Sequence, residues 1–242
     1  SVSTSNVFVA QPKLSGGGSI YSSLSFDGTD DYVSLDPLDL SSSNGISFSL
    51  WVQKKTGLPS SGNYETVLRQ DLSGNPDFLL QFTGDSKLAF GLNTQLTSYS
   101  ELKVDISSSD YIDKWVHIAG YLDVSTSYSY LYVNGVKVGQ NNIHSGNATN
   151  TADYKLRIGN SPHDNESEFF DGLIDEVALW SVELTDDQIK TLYIQGLGFL
   201  ATNIANANLV GFWNFNDTDD TTDDVSSNSN TGSVEGATYT GS

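Results

Sequence analysis

The stretch Glu168–Glu176 holds four carboxylates, Glu168, Asp171, Asp175 and Glu176. Glycoside hydrolysis needs two carboxyl groups about 5–9.5 Å apart, one of them kept protonated as the acid. Such a pair is carried most compactly by a strand word E-x-D-x-E or E-x-D-x-x-E, and this stretch does not spell one. A lyase could use Tyr and His with Arg; all three types occur, but in no telling arrangement. The G-x-S-x-G elbow, the H-E-x-x-H zinc word, the P-loop and the dinucleotide fingerprint are all absent. With no cysteine there is neither a thiolate nucleophile nor a Cys-ligated metal. Catalysis is not the expected use of these groups.

The second constellation is aromatic. Ile46, Phe48, Leu50 and Val52 alternate with Ser47, Ser49 and Trp51, the pattern of a half-buried antiparallel strand. If Val116, Ile118, Leu131 and Val133 face a core, then Trp115, His117, Tyr130 and Tyr132 face away from it. Flat rings stack on the C–H faces of sugars, and planar polar groups bond their hydroxyls. The expected carbohydrate-binding face is therefore Trp51, Arg69, Gln81, His117 and Tyr132, gathered on one concave sheet. The competing account packs these rings under long loops, since Trp and Tyr are largely buried on average. His117 also reads as an ordinary hydrogen-bonded surface histidine. His144 and His163 sit in loops without ligand-spaced partners.

Positioning such groups falls to strands. The chain has 242 residues and 22 glycines, and its apolar mass is concentrated in 4 Trp, 12 Tyr and 11 Phe. That composition suits short strands joined by many turns around one core. Firm strands are expected over Ser23–Leu35 (with a DGTD turn), Ile46–Val52, Thr66–Arg69, Phe78–Phe82, Leu88–Leu92 and Trp115–Tyr121. Tyr128–Val133 and Val136–Gly139 flank Asn134–Gly135, the strongest hairpin signal in the chain. Leu156–Gly159, Gly172–Trp180, Leu209–Phe215 and Gly232–Tyr239 complete the strands, whereas Leu96–Ser109 is ambiguous. One helix is expected: Thr185 caps it, Gln188 closes a capping box, and Leu184 with Ile189 forms a hydrophobic staple. It reads as a lid on a sheet edge or corner. Residues 1–19 form a polar lead-in ending in GGGS, with a possible edge strand at Val7–Val9. Residues 20–242 form a single domain.

Charge narrows the partners. Lys+Arg 11 against Asp+Glu 30 leaves a formal charge of -19, which excludes nucleic acid, since phosphate contacts need a basic surface. Divalent cations are the natural partners of such an excess. No apolar run approaches the ~20 residues of a membrane span, so membrane insertion is not expected. The chain opens at Ser1 without a methionine, which reads as a cut-out domain or a mature form. The N-x-[ST] triplets at Asn147, Asn165 and Asn216 mark loops. The acidic run Asp217–Asn228 is not an EF-hand loop: Thr222 stands where Gly is required, and Asn228 where the bidentate Glu belongs.

In order along the chain come SLSFDGTDDYVSL, FSLWV, WVHIAGYLD with LYVNG, LRIG, and FDGLIDEVALW with LTDDQIKTLY. Together they resemble the laminin-G-like, concanavalin-A-like jelly-roll modules of bacterial secreted polysaccharide-active and adhesive proteins. The tail NLVGFWNFND resembles a segment that such modules often place at the other end. The resemblance runs from about Leu24 to Tyr239 and implies an all-β, two-layer antiparallel β-sandwich with one short helix. It implies a lectin-like, calcium-stabilised, non-catalytic carbohydrate-binding module of a secreted or surface protein, contacting a polysaccharide and its parent's other domains. The implied calcium ligands are Asp27, the Gly28 carbonyl, Asp175, Asp224 and Asn230. An adhesion or scaffold module, or a polysaccharide lyase or glycoside hydrolase, is the alternative.

Overall fold

The computed structural model describes residues 22–40, 43–71, 77–94, 99–142, 144, 146, 155–162 and 167–241. The lead-in, the Val7–Val9 strand, His163, Asn147 and Asn165 lie outside these residues.

Two antiparallel sheets stack face to face. Before the helix, the chain forms β1 (Ser22–Asp27), β2 (Tyr32–Leu35), β3 (Gly45–Lys54), β4 (Tyr64–Asp71), β5 (Phe78–Thr83), β6 (Lys87–Leu92) and β7 (Ser100–Asp105). These are followed by β8 (Val116–Asp123), β9 (Tyr128–Val133), β10 (Val136–Asn141), β11 (Lys155–Ile158) and β12 (Asp171–Trp180). Helix α1 (Asp186–Gln195) comes next, and then β13 (Leu209–Trp213), β14 (Thr221–Thr222), β15 (Gly232–Glu235) and β16 (Thr238–Gly241). The first sheet runs β10-β9-β8-β3-β12-β1-β16, with β13 also paired to β12; the second runs β14-β15-β2-β11-β4-β5-β6-β7. This is the all-β, two-layer jelly-roll sandwich with one short helix. Its physical basis is that each sheet has an apolar face that must be buried against another layer.

Between the layers the alternating rows interlock. Phe48 of the first sheet meets Phe78 and Phe90 of the second at centroid distances of 5.8 and 5.0 Å. Gly120 makes room for that contact, because a Cβ there would lie 2.7 Å from the Phe48 ring. The SLSFDGTDDYVSL word divides: β1 joins the first sheet and β2 the second. Gly232–Tyr239 divides in the same way, β15 pairing with β2 and β16 with β1. Both ends of the domain therefore meet in both layers. The Asn134–Gly135 pair has φ of 50° and 71°, the left-handed turn that its sequence demands.

Helix α1 lies across the outer face of the first sheet, not at an edge or corner. Tyr193 stacks on Trp51 of β3 at 6.0 Å and lies 6.1 Å from His117 of β8, while Tyr132 of β9 donates a hydrogen bond to Asp186. Its start is the expected box: Gln188 N donates to Thr185 Oγ1 at 3.2 Å, and Thr185 N to Gln188 Oε1 at 2.8 Å. Leu184 and Ile189, the staple pair, are both buried. Among the described residues no helix is long and apolar enough to cross a membrane.

Replacing Thr185 with Ala removes the acceptor for an otherwise unsatisfied helix N–H and should cost about 1 kcal/mol. Equilibrium unfolding in urea measures it; a loss under about 0.3 kcal/mol would mean that packing alone positions the helix.

Candidate functional site

The five residues expected on one sugar-binding face fall on two. Trp51 and His117 are cross-strand partners in the first sheet, and Tyr132 stands opposite Ala119 one strand further on. All three are on the outer face, as their alternation requires, yet they are 4%, 0% and 2% exposed. Helix α1 covers them, so the rings pack against protein, and the rival packing account describes this face. His117 bonds Ser49 Oγ through Nε2 at 2.8 Å, and burial drives its pKa down to about 3, keeping the ring neutral. It is not a surface histidine. Tyr132 is held by its bond to Asp186, which also takes Lys137 at 3.3 Å. His144 is likewise structural, bridging Ser129 Oγ at 2.6 Å and the Ser100 carbonyl at 2.9 Å.

Arg69 and Gln81 stand instead on the outer face of the second sheet. Their neighbours Leu68 and Leu80 point into the core, which turns Arg69 on β4 and Gln81 on β5 outward. Arg69 binds Asp71 Oδ2 through Nη2 at 2.6 Å and Glu168 Oε2 through Nη1 at 3.0 Å; Thr66 Oγ1 also donates to Glu168. Gln81 Nε2 and Tyr99 OH both donate to Glu101 Oε1, at 3.0 and 2.8 Å, and Lys103 reaches Glu101 Oε2 at 2.7 Å. Tyr99 lies over Gly91, where any side chain would collide with its ring. Burial and the Glu101 charge hold its phenol far above the ordinary range and therefore neutral. Tyr64, 40% exposed, stands at the margin, and Tyr32 flanks Arg157 on β11. Tyr32, Tyr64 and Tyr99 were missed by the sequence reading. Only strand pairing reveals that they share a face with Arg69 and Gln81.

The expected calcium set is dispersed. Asp27 pairs with Asp171 at one end of β12, and Asp175 lies four residues along that strand, about 13 Å away. Asp224 is further still, against Phe212, the partner of Ala178. Its carboxylate already accepts from Phe212 N, Ser226 N, Ser226 Oγ and Asn230 N at 2.8–2.9 Å. Asn230 spends its amide on the Val210 carbonyl and its own carbonyl on Trp213 Nε1. These two residues clamp the tail and have no oxygens aimed at Asp27. What does cluster is the turn itself: Asp27, Asp30 and Asp31 each offer an oxygen within 4.8 Å of the others. Asp31 is buried, donor to none and acceptor from Asp27 N, while Asp27 and Asp30 are exposed. Burial first, and then repulsion from Asp27 and Asp30, raises the Asp31 pKa. Gly28, with φ 78°, shapes this turn. The cluster could coordinate a cation.

A small cleft of about 330 Å³ opens at one end of the sandwich, where Pro37 and Asp39 face Asn208, Val210, Asn228 and Asn230.

The sequence profile of the concanavalin A-like lectin/glucanases superfamily, in its laminin-G form, matches residues 27–190. The chain belongs to that superfamily. No curated protein matches it. Among solved structures, a candidate carbohydrate-binding protein from Bacteroides ovatus aligns at a TM-score of 0.72 and 16% identity, over 93% of this chain and 60% of its own. The heptameric SAP-like pentraxin of Limulus polyphemus aligns at 0.51 and 16%, over 71% of this chain and 81% of its own. The binding domain of botulinum neurotoxin serotype D aligns at 0.54 and 19%, over 69% and 41%. The first is described as a carbohydrate-binding protein and the third as a binding domain. At such identities they establish the shared fold, and this chain spans about three-fifths of the Bacteroides protein.

A superfamily named for both lectins and glucanases raises the question of an acid pair, and Asp175–Glu176 is the closest candidate. A bulge in β12 places Glu176 at φ 54° and breaks the register with β3 between Asp175 and Ala178. Asp175 accepts from Glu176 N at 2.8 Å, Glu176 Oε1 accepts from Gly198 N at 3.1 Å, and Glu176 Oε2 is buried without a partner. The two are 4% and 7% exposed, closed to any glycan chain. Their role is to latch the segment after α1 onto the sheet. Burial raises both, Glu176 to about 8, and the Glu176 charge adds to the rise at Asp175.

A carboxyl raised in the folded state contributes stability that is present at low pH. That contribution fades as pH climbs from the unfolded value of 4.5 toward the folded value of about 8. Glu176→Gln keeps the Gly198 acceptor and should flatten the fall in stability between these limits, by on the order of a few kcal/mol at pH 8 relative to wild type. Parallel urea titrations at pH 5 and pH 8 check this; identical slopes for both proteins would mean that Glu176 is ionised in the fold.

Proposed function

We propose that this chain is a non-catalytic, lectin-like module that holds a polysaccharide on the outer face of its second sheet. One observation carries the reading: that face carries the exposed Tyr64 and the half-buried Tyr32 and Tyr99 around the buried Arg69, Gln81 and Arg157, whereas α1 lies across the opposite face. Tyrosine rings give contact area at low entropic cost, and the fixed amide and guanidinium groups discriminate hydroxyl geometry. Superfamily membership and the description of the Bacteroides protein support it. Arg69 and Gln81 already have carboxylate partners, so hydroxyls must join or displace existing bonds. Affinity for a short oligosaccharide is therefore micromolar to millimolar in order of magnitude. The module would belong to a larger secreted or surface protein and hold it against its substrate. An adhesion module with a protein partner is the second reading, favoured by the likeness to a neurotoxin binding domain.

The test is a calorimetric titration across neutral and anionic glycans. Gln81→Ala and Tyr64→Ala should each weaken binding several-fold, while Trp51→Phe should lower the melting temperature and leave affinity unchanged. Binding unaffected by the first two would move the site to the cleft beside Asn228. No binding to any glycan would favour adhesion, and release of reducing ends or unsaturated sugars would make the protein an enzyme.

We also propose calcium at the Asp27–Asp31 turn. Hard carboxylate oxygens suit it, and a cation there would relieve the repulsion that raises Asp31. Because such a site forms only in the folded chain, binding adds to stability. EDTA should lower the melting temperature, and Asp31→Asn should shrink that shift. An unchanged melt would remove calcium from the account.

A further inference from the structure

The outer face of the second sheet carries Arg69, Lys87, Lys103, Lys155 and Arg157, five of the eleven lysines and arginines in the chain. Carboxylates neutralise three of them: Arg69 has Asp71 and Glu168, Lys87 has Asp105, and Lys103 has Glu101. Lys155 is exposed to water. Arg157 differs from all four. It is 8% exposed, it stands directly opposite the like-charged Arg69, and among the described residues no carboxylate lies within ion-pair distance. Its guanidinium carbon sits 4.2 Å from the Tyr32 ring centroid, and Nη1 donates to the Ser161 carbonyl at 2.9 Å. Its Nε is buried with no hydrogen-bond partner, and so is Oδ1 of Asn160, a residue 2% exposed.

A guanidinium buried without an acid beside it costs several kcal/mol, and the acids nearest to Arg157 across the strand, Asp71 and Glu168, are already taken by Arg69. A fold that keeps the group there gains from something outside itself. We infer that Arg157, backed by Tyr32, forms a subsite for the oxyanion of an acidic sugar, a carboxylate or a sulfate, on the glycan face proposed above. A bound oxyanion draws the guanidinium outward, so that the Nε buried without a partner in the free protein donates to one anion oxygen, and the Tyr32 ring supplies the stacking surface for the sugar that bears it. Ser34, half-buried, and Ser233, exposed, continue this face across β2 and β15 and leave the approach open from that side. On this face three of the five cations are paired with acids and Glu235 stands opposite Tyr32, so Lys155 and Arg157 supply the attraction for an acidic ligand in a chain of charge -19.

The inference rests on the glycan-binding reading, and the experiment separates the two. Titrate the protein with a uronate oligosaccharide, its sulfated counterpart and its neutral counterpart, at low and physiological salt. At least one charged oligomer should bind tenfold or more tighter than the neutral one and weaken with salt; whichever does names the oxyanion. Equal binding of all three overturns the acidic subsite and leaves the glycan face standing, while binding of none removes both. Arg157→Met should abolish the preference for the charged oligomer yet leave the melting temperature of the free protein unchanged or raised, because an uncompensated charge is gone. A lowered melting temperature with the preference intact would make Arg157 a structural residue and overturn the inference. The chain has two arginines, so its Nε–Hε NMR spectrum has two side-chain signals. In wild type the charged oligomer should shift the Arg157 signal, assigned through Arg157→Lys. A signal that stays still overturns the inference whether or not the Met variant folds.

Discussion

The organisation of this molecule depends on the burial of one aromatic face under one short helix. A sandwich has two outer faces, and on the first sheet that face is built of Trp51, Tyr121, Tyr132, Trp180 and Phe212, rings too large to leave in water. Helix α1 and the segment after it cover them with Leu184, Ile189, Leu192 and Ile204. Each such side chain, fully buried, contributes roughly 1.5–3 kcal/mol. A ten-residue helix would not be stable alone, so the cover needs ties. The capping box fixes its start, Tyr132 and Lys137 hold Asp186 in its first turn, and Trp180 Nε1 donates to the Ile204 carbonyl beyond its end. The buried Asp175–Glu176 pair adds a bond to Gly198. With that face closed, recognition is left to the second sheet or the rim.

A second constraint joins the two layers. Lys54 of β3 is fully buried, paired with Glu65 of β4 and set over the Phe82 and Phe170 rings at 5.4 and 5.1 Å. Burial raises Glu65 while the lysine beside it opposes the rise. An ion pair like this is poor value as a stabiliser compared with packed hydrocarbon, but breaking it leaves one buried charge without a partner. It therefore acts against slippage of one sheet over the other. The tail does similar work: Asp224, with four donors, folds the acidic stretch back on β13, so that β15 and β16 can each reach a different layer.

The fold was legible in the sequence because its rules are local. Period-two alternation at Ile46–Val52, the Asn134–Gly135 turn and the Thr185–Gln188 box each act within a few residues, and the structure bears out all three. The site was only partly legible. Alternation correctly turned Trp51, His117 and Tyr132 away from the core, but it cannot say what lies on the other side of them. The helix that covers them is nearly seventy residues from His117 in sequence. Nor can alternation assign a strand to a sheet: Arg69 and Gln81 point outward as expected, on the opposite side of the molecule. Asp175 and Asp224 do not come together with Asp27, for a related reason. Spacing along a chain gives no distance between a strand end and a loop, and a loop carboxylate surrounded by backbone N–H groups is already satisfied.

The charge distribution gives the acidity a structural logic. Much of the excess stands in turns where a carboxylate bonds its own backbone, as at Asp27 with Thr29, Asp123 with Ser125 and Thr126, and Asp219 with Thr221. There local N–H dipoles hold part of the negative charge. At Asp123 the hydroxyls and N–H groups of Thr126 and Ser125 outweigh desolvation and lower the pKa. The scarce cations are then left for the acids that lie on the sheets, as where Arg69, Lys87 and Lys103 meet Asp71, Asp105 and Glu101. Five of them lie on one face, and that face also carries tyrosines that no helix covers among the described residues. Aromatic rings, fixed amides and cations paired with acids meet on this one surface. That convergence, more than the fold itself, is the ground for the proposal that recognition takes place on the second sheet.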